Sequence, residues 1–293
     1  MSHISFSELK DWKFCAFYHK LTRVDGIDGF TGNEYTAFGS AIHSVCEKKL
    51  LQQDMNEDFF VKELKKNISE LDEEHEINKK LVLDMIGQGK RIIPEIEDAL
   101  NEYFPEFEVM AVEMPLFEPI TDEDDYNFKG YIDAVVATPD GKIHIFDWKT
   151  CSWGWNAKKR SEPMVTYQLT LYKHYFCQKM NIDPKDVETH FALLKRTASK
   201  NRVEFFRVTS GPKKTENALK LLNTALYNIQ KKRYIKKMED KIDIRLSTDL
   251  DSFYPILISN KLKHKAKPTH TLEELKILMK KFPNQIKLLL SYQ

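Results

Sequence analysis

Lys142-Ile-His-Ile-Phe-Asp-Trp-Lys149 is a short apolar run that ends on an aspartate and a lysine flanking one tryptophan. Upstream, Phe128-Lys-Gly-Tyr-Ile-Asp133 ends on a second aspartate. Between the two runs lies Thr138-Pro-Asp-Gly141, a strong turn signal. The pattern predicts two strands joined as a hairpin. Side chains alternate across a strand, so Asp147 and Lys149 share a face and Asp133 is carried opposite them. Ile143, Ile145 and Asp147 form one core-facing stripe, and Tyr131 and Val135 flank Asp133 on the neighbouring one. An ionised carboxylate on such a stripe needs a partner or a metal. Two acids and a lysine converging at one end of a hairpin form a divalent-metal site with a cation beside it. That set suits phosphodiester hydrolysis.

Further motifs stand in order around the hairpin. They are Ser5-Phe-Ser-Glu-Leu-Lys-Asp-Trp-Lys-Phe-Cys-Ala-Phe-Tyr18, Phe38-Gly-Ser-Ala-Ile-His43, Lys129-Gly-Tyr-Ile-Asp133, Phe146-Asp-Trp-Lys-Thr150 and Tyr167-Gln-Leu-Thr-Leu-Tyr172. Together they resemble the PD-(D/E)XK nucleases, in the branch that includes the RecB nuclease domain and Cas4. The resemblance implies an α/β, restriction-endonuclease-like core with a mixed central sheet flanked by helices. It implies Asp133 and Asp147 as carboxylate ligands of Mg²⁺ or Mn²⁺, with His43 and the backbone carbonyl of Trp148 on the same ion. Lys149 would orient or deprotonate the attacking water and offset phosphate charge. Gln168 and Tyr172, four apart on one helix face, would position substrate phosphate or the lysine. Glu113 is a further candidate, to hold Lys149 or a metal-bound water; the alternative is an exposed strand residue. Iron–sulfur members of this branch pair an early cysteine with a later three-cysteine cluster. Cys15 occupies the early position but no cysteine follows Cys177, so no iron–sulfur cluster is expected.

The segment Val165 to Met180 reads as a helix, because Leu169, Tyr172, Tyr175 and Phe176 fall at helical spacing. Before it, the expected loop Cys151–Arg160 mixes Trp153 and Trp155 with Lys158, Lys159 and Arg160. Aromatics stack on splayed bases and cations hold phosphates, so this loop suits an entering single strand; the alternative is ordinary surface. Formal net charge is +1, yet residues 211–293 carry 18 Lys and Arg against 8 Asp and Glu, leaving 27 against 36 in the remainder. The densest basic stretch holds Lys231, Lys232, Arg233, Lys236 and Lys237, at the end of a helix beginning near Lys213. A polyanion-binding appendage fits this division; a solvated helix end is the alternative.

The chain of 293 residues is expected to hold a nuclease core over 1–210 and a basic, mainly helical C-terminal region over 211–293 packed on it. A helical insertion at about 54–103 is expected to be broken at Gly87 and Gly89. Helices are expected over 5–20 and 37–52, strands near 107–117, 127–137, 142–149, 188–195 and 202–208. Leu272–Met279 and Ile286–Leu290 read as amphipathic helical pieces, packed on the core or binding a protein partner. No stretch approaches twenty apolar residues and no signal sequence opens the chain, so the expected location is cytoplasmic, or host-cytoplasmic for a phage- or virus-encoded chain, with no membrane partner. The expected function is a metal-dependent DNA nuclease. An exonuclease on DNA ends or single strands, in recombination, repair or phage DNA metabolism, is favoured over a structure-specific or nonspecific endonuclease. A catalytically silent nucleic-acid-binding subunit is the alternative of another class.

Overall fold

The computed structural model describes residues 2–27, 31–53, 55, 57–73, 75–121 and 126–235. Its strands are β1 (Ser2–Ser5), β2 (Glu108–Pro119), β3 (Tyr126–Ala137), β4 (Ile143–Cys151), β5 (Val187–Lys195) and β6 (Val203–Val208). The helices are α1 (Phe6–Phe14), α2 (Ala16–His19), α3 (Glu34–Leu50), α4 (Glu57–Ser69) and α5 (Lys79–Ile92), followed by α6 (Glu95–Tyr103), α7 (Ala157–Ser161), α8 (Pro163–Met180) and α9 (Pro212–Gln230). Two compact units divide the chain. One comprises Met1–Phe14 and Gly32–Arg233 and contains the whole sheet; the other comprises Cys15–Thr31 and Tyr234–Gln293. Among the second unit's described residues, α2 runs into a π-helical turn, Lys20–Val24. The basic pair Lys236 and Lys237 and the C-terminal pieces 272–279 and 286–290 lie outside the described residues.

The hairpin expected from the sequence is β3–β4, closed by a turn in which Gly141 takes a left-handed φ of 78°. It sits inside a six-stranded mixed sheet ordered β1-β3-β4-β5-β6, with β2 also paired to β3. β4 runs antiparallel to β3 and parallel to β5, and is covered on both faces. On one face α3 to α6 bring Phe38, Ile42, Phe60, Leu64, Met85 and Ile96 against Ala134, Val136, Phe146 and Trp148. On the other, α1, α8 and α9 bring Leu9, Leu169, Tyr175, Phe176 and Leu222 against Ile145, Val135 and Phe191. A strand covered twice reads as a nearly continuous apolar run, which is what 143–148 is. α9 packs Ala218, Leu222 and Ala225 into this core.

Three details depart from the sequence reading. Ser2–Ser5 is a strand that pairs in parallel with Tyr126–Lys129; only Ile4 of its four residues is buried, too short a run to show a period. The stretch expected as loop before α8 contains the short helix α7, capped by Asn156 accepting from the Lys159 amide at 2.9 Å. Gly87 and Gly89 do not break the insertion but lie within α5. A Cβ on Gly89 would stand 2.2 Å from the Phe60 ring, so the glycine admits the α4 aromatic into the core. Among the described residues no helix is long and apolar enough to cross a membrane.

Near the starts of β4 and β5 lies a chain of hydrogen bonds that runs from the surface to a buried histidine pair. Thr138 Oγ1 donates to Asp140 Oδ1 at 2.5 Å, so it accepts from His144 Nε2 at 2.9 Å. His144 Nδ1 then accepts from His190 Nε2 at 3.0 Å, and His190 Nδ1 accepts from the Tyr103 hydroxyl at 3.0 Å. Glu188 lies beside them, and one potential ligand atom from each of His144, Glu188 and His190 falls within 4.8 Å of the others. The chain satisfies every ring nitrogen without an ion. Burial, aided by the neighbouring His144 and Arg207, pushes His190 down to about 3; burial also lowers His144.

Two outcomes follow. Gly87→Ala meets only the flexible end of Arg91 and gains helix propensity, so it should raise stability by about 0.5–1 kcal/mol. Gly89→Ala gains the same propensity but must displace the Phe60 ring, an overpacking cost of about 1–3 kcal/mol, so it should lower the urea midpoint. The second outcome concerns pH. A histidine depressed in the folded state binds more protons when unfolded, so its stability contribution is complete above about pH 6.5 and is lost as pH falls toward about 3. The urea midpoint should decline over that window, less steeply in His190→Gln; equal slopes would contradict the assignment.

Candidate active site

The site forms where β3 and β4 part. Along one edge of β3, Tyr126–Lys129 pair with β1 and Ala134–Ala137 with β4, leaving 130–133 without a strand on that side. β4 meanwhile continues beside β5 as far as Cys151. Asp133 sits at the mouth of this fork. Its Oδ2 accepts the Trp148 amide at 2.7 Å, replacing a ladder bond with a side-chain one. In a strand, a residue's N–H and C=O lie on the same edge, so the Trp148 carbonyl also points into the fork. His43, on α3, hydrogen-bonds that carbonyl, and its Nδ1 lies 3.7 Å from Asp133 Oδ2.

The alternation expected through Tyr131, Asp133 and Val135 does not hold: Tyr131 is 51% exposed, and Ile132 is buried in its stead. Ile132 faces the α8 layer, whereas Ala134 and Val136, of the same parity, face the α3 layer. β2 changes phase at the same rung, with Val112 in one layer and Met114 in the other. The residue between them is Glu113, whose φ of 46° is left-handed and uncommon for a side chain other than glycine. Glu113 stands opposite Asp133, between the pairs Val112–Ala134 and Met114–Ile132. This local rotation turns Asp133 out of the stripe and toward Trp148.

Asp147 and Lys149 share a face, as the pattern requires, and Lys149 Nζ lies 2.5 Å from Asp147 Oδ2. Asp147 Oδ2 is thus buried with the Lys149 ammonium as its partner. Asp147 Oδ1 accepts from Gln168 Nε2 at 2.8 Å, and the same nitrogen reaches the Tyr172 hydroxyl at 3.3 Å. A Cβ on Gly130 would stand 2.8 Å from the Tyr172 ring, so the glycine that opens the fork also seats the tyrosine. Asp147 is 3% exposed and Asp133 13%, while His43 at 29% and Lys149 at 32% reach solvent. The acids form the floor and the two nitrogen groups the rim.

Burial raises the carboxyls of both Asp133 and Asp147, and the charge of Asp147 raises Asp133 further. Burial works against the Lys149 ammonium, but the charges of Asp147 and Asp133 outweigh it and raise its pKa. Burial, with the Lys149 charge, pushes His43 down to about 4, so its ring is neutral at neutral pH. Burial also raises Glu113, helped by Glu47 and Asp147. Glu47 is the acid that sequence reasoning missed. It follows His43 by one helical turn, so the same face of α3 carries both, and the i, i+4 spacing was the available signal. Among the described residues Glu113 makes no direct bond to Lys149, so its influence here is electrostatic.

This arrangement fits a hard divalent cation on its own chemistry. Two buried acids repel each other with one ammonium between them and solvent, and a neutral imidazole and a main-chain carbonyl converge beside them. His43, Asp133, Asp147 and the Trp148 carbonyl could hold such an ion. The aromatic loop divides. Trp153 is 75% exposed, and Lys158 and Lys159 are exposed, with Lys159 Nζ 5.0 Å over the Trp155 ring. Trp155, half-buried, packs on Phe191 and Phe206, and Arg160, also half-buried, pairs with Glu204 and lies over Phe206. Lys231, Lys232 and Arg233 are exposed just beyond α9, with Arg233 over the Tyr227 ring.

No protein of curated function matches the chain. Among solved structures, it is similar to the crystal structure of a "Putative exonuclease" from Eubacterium rectale, at a TM-score of 0.55 and 16% identity, over 89% of this chain and 92% of that one. The crystal structure of SSO0001 aligns at 0.36 and 12%, over 77% and 76%. The first likeness shows the fold. The model of the PD-(D/E)XK nuclease superfamily matches residues 3–248, spanning the fork and every residue that lines it, and the chain belongs to that superfamily.

Proposed function

We propose that the chain is a Mg²⁺- or Mn²⁺-dependent deoxyribonuclease, an exonuclease acting on DNA ends or single strands in DNA recombination, repair or phage DNA metabolism. The observation that carries the metal-dependent reading is the fork itself, with its two repelling buried acids, a neutral His43 and the Trp148 carbonyl converging on it. Asp133, Asp147, His43 and the Trp148 carbonyl would hold the ion. Bound there, it supplies a Lewis acid and an acidified water.

The chain's own groups do the rest. Lys149 stays protonated, because the paired acids raise its pKa, and it meets the charge on the scissile phosphate rather than taking a proton in the resting state. Gln168 fixes the Asp147 carboxylate by its amide, and Tyr172 fixes Gln168. Glu113 and Glu47 add negative charge at the edge of the site, drawing in a cation and repelling misplaced phosphate. Trp153 offers an open aromatic face for a base next to the end of β4, which supports a single-stranded substrate. Lys158, Lys159, Lys231, Lys232 and Arg233 are exposed cations suited to the backbone.

The metal reading is tested by Asp133→Asn and Asp147→Asn, assayed on end-labelled single- and double-stranded DNA, linear and circular, with Mg²⁺, Mn²⁺ or EDTA. Cleavage should vanish in both variants and in EDTA. Mn²⁺ should raise the melting temperature of the wild type and not of the variants, and the metal-free variants should melt higher because one of two repelling charges is gone. Cutting of circular single strands at the rate of linear ones would contradict the exonuclease reading.

Lys149→Met separates binding from chemistry. Turnover should fall by about 10²–10³, the scale of losing one transition-state charge donor. Affinity for a long single strand should change little, since one cation among many phosphate contacts contributes a small share. Equal loss of both would contradict the role given to Lys149.

A further inference from the structure

Arg196 extends β5 beyond its last ladder pair. Its amide donates to the Cys151 carbonyl at 2.8 Å, and the next amide, Thr197, donates to the Ser152 carbonyl at 3.0 Å. The two strands thus stay locked past their assigned ends, and Arg196 lies alongside Ser152. Its guanidinium is held on all sides by neutral groups. It donates to Ser152 Oγ at 3.2 Å and Gln88 Oε1 at 3.3 Å, and lies 4.6 Å from the centre of the Tyr35 ring and 5.9 Å from that of Phe38.

No carboxylate among the described residues pairs with it, whereas three neighbouring cations each have one. Lys195 pairs with Glu204 at 3.1 Å, Arg160 with the same glutamate, and Arg202 with Glu95. Arg196 is also half-buried, and burial disfavours its charge. A guanidinium fixed in a rigid strand end, part-desolvated and without a counter-charge, is preorganised for an anion that arrives from outside.

Its place says which anion. Ser152 directly follows β4, three residues beyond Lys149, about 10 Å along an extended chain. Tyr35 stands two helical turns before His43 on α3, about 12 Å along the helix. Between them α3 lies close on β4, where a Cβ on Gly39 would be 3.7 Å from Thr150 Oγ1. The same two elements therefore carry the fork at one point and Arg196 one step further along. Exposed Trp153 follows Ser152 directly.

We propose that Arg196 is the anchor of a backbone-phosphate subsite, holding a phosphate one or two nucleotides from the scissile bond while Trp153 stacks on the adjoining base. The proposal rests on the nuclease reading above for its substrate, but its test does not need turnover. Fluorescence anisotropy of a labelled 15-nucleotide oligothymidylate, in Ca²⁺ and at stepped salt, measures affinity for wild type, Arg196→Gln and Arg196→Lys. Arg196→Gln should bind about tenfold more weakly, the scale of a charged hydrogen-bonding pair, with a salt slope smaller by about 0.7. Its melting-temperature rise with Mn²⁺ should equal that of wild type, because the fork is untouched. In cleavage assays its KM should rise with kcat unchanged.

Unchanged affinity and slope in Arg196→Gln overturn the subsite. So does loss of the Mn²⁺ response together with affinity, which marks a structural role. If Arg196→Gln does not fold, Arg196→Lys decides, since it keeps the charge but not the flat two-pronged donor. Weaker binding at an unchanged slope supports the subsite, and unchanged binding overturns it. If the wild type cuts no DNA yet Arg196→Gln still shows the lower slope, the nuclease reading fails and the subsite stands.

Discussion

One hydrogen bond, from the Trp148 amide to the Asp133 carboxylate, is the point on which the site turns. Two strands that pair through Ala134–Ala137 must separate to make room, and separation would leave main-chain groups unpaired inside the protein. The aspartate takes the exposed amide, so the fork opens without that loss. The same act places a charge in the interior next to Asp147, another buried acid. The geometry that solves the backbone problem thus creates an electrostatic one.

Lys149 answers it only in part. Against that ammonium stand Asp133 and Asp147 on the floor, with Glu113 and Glu47 at the edge. An excess of negative charge in a site whose imidazole is kept neutral favours a small dication over a second organic cation. The positive groups lie further out, on the exposed loop and at Arg196. A polyanion would therefore meet attraction along its length and repulsion at one spot, and that spot becomes hospitable once a metal is seated.

Much of this was legible in the chain because β4 carries its information locally. Asp147, Trp148 and Lys149 are neighbours in sequence, and strand alternation alone puts the acid and the lysine on one side. Gln168 and Tyr172 are readable from helix spacing in the same way. Legibility fails where position depends on a distant rung. Tyr131 was expected in the stripe, but the left-handed backbone of Glu113 on another strand rotates β3 at Asp133. Gly89 looks like a helix breaker until Phe60 is seen against it. Trp155 and Arg160 have the composition of a nucleic-acid loop, and their contacts to Phe206 and Glu204, about fifty residues later in the chain, could not be read from it. Arg196 carries no local mark at all, since its character comes from the carboxylate it lacks.

β1 pairs in parallel with Tyr126–Lys129, so this strand waits for more than a hundred residues before its partner is made. β4 in turn pairs along its length with Val187–Lys195. Pairings this distant are slow to form, because loop closure must precede any gain from the contact. The fork consequently waits on residues as far along the chain as Lys195. Until β5 and α8 have emerged, the acids, the lysine and the histidine exist only as scattered side chains on an unfinished sheet. The site therefore assembles only as the sheet closes, and topology alone sets that order.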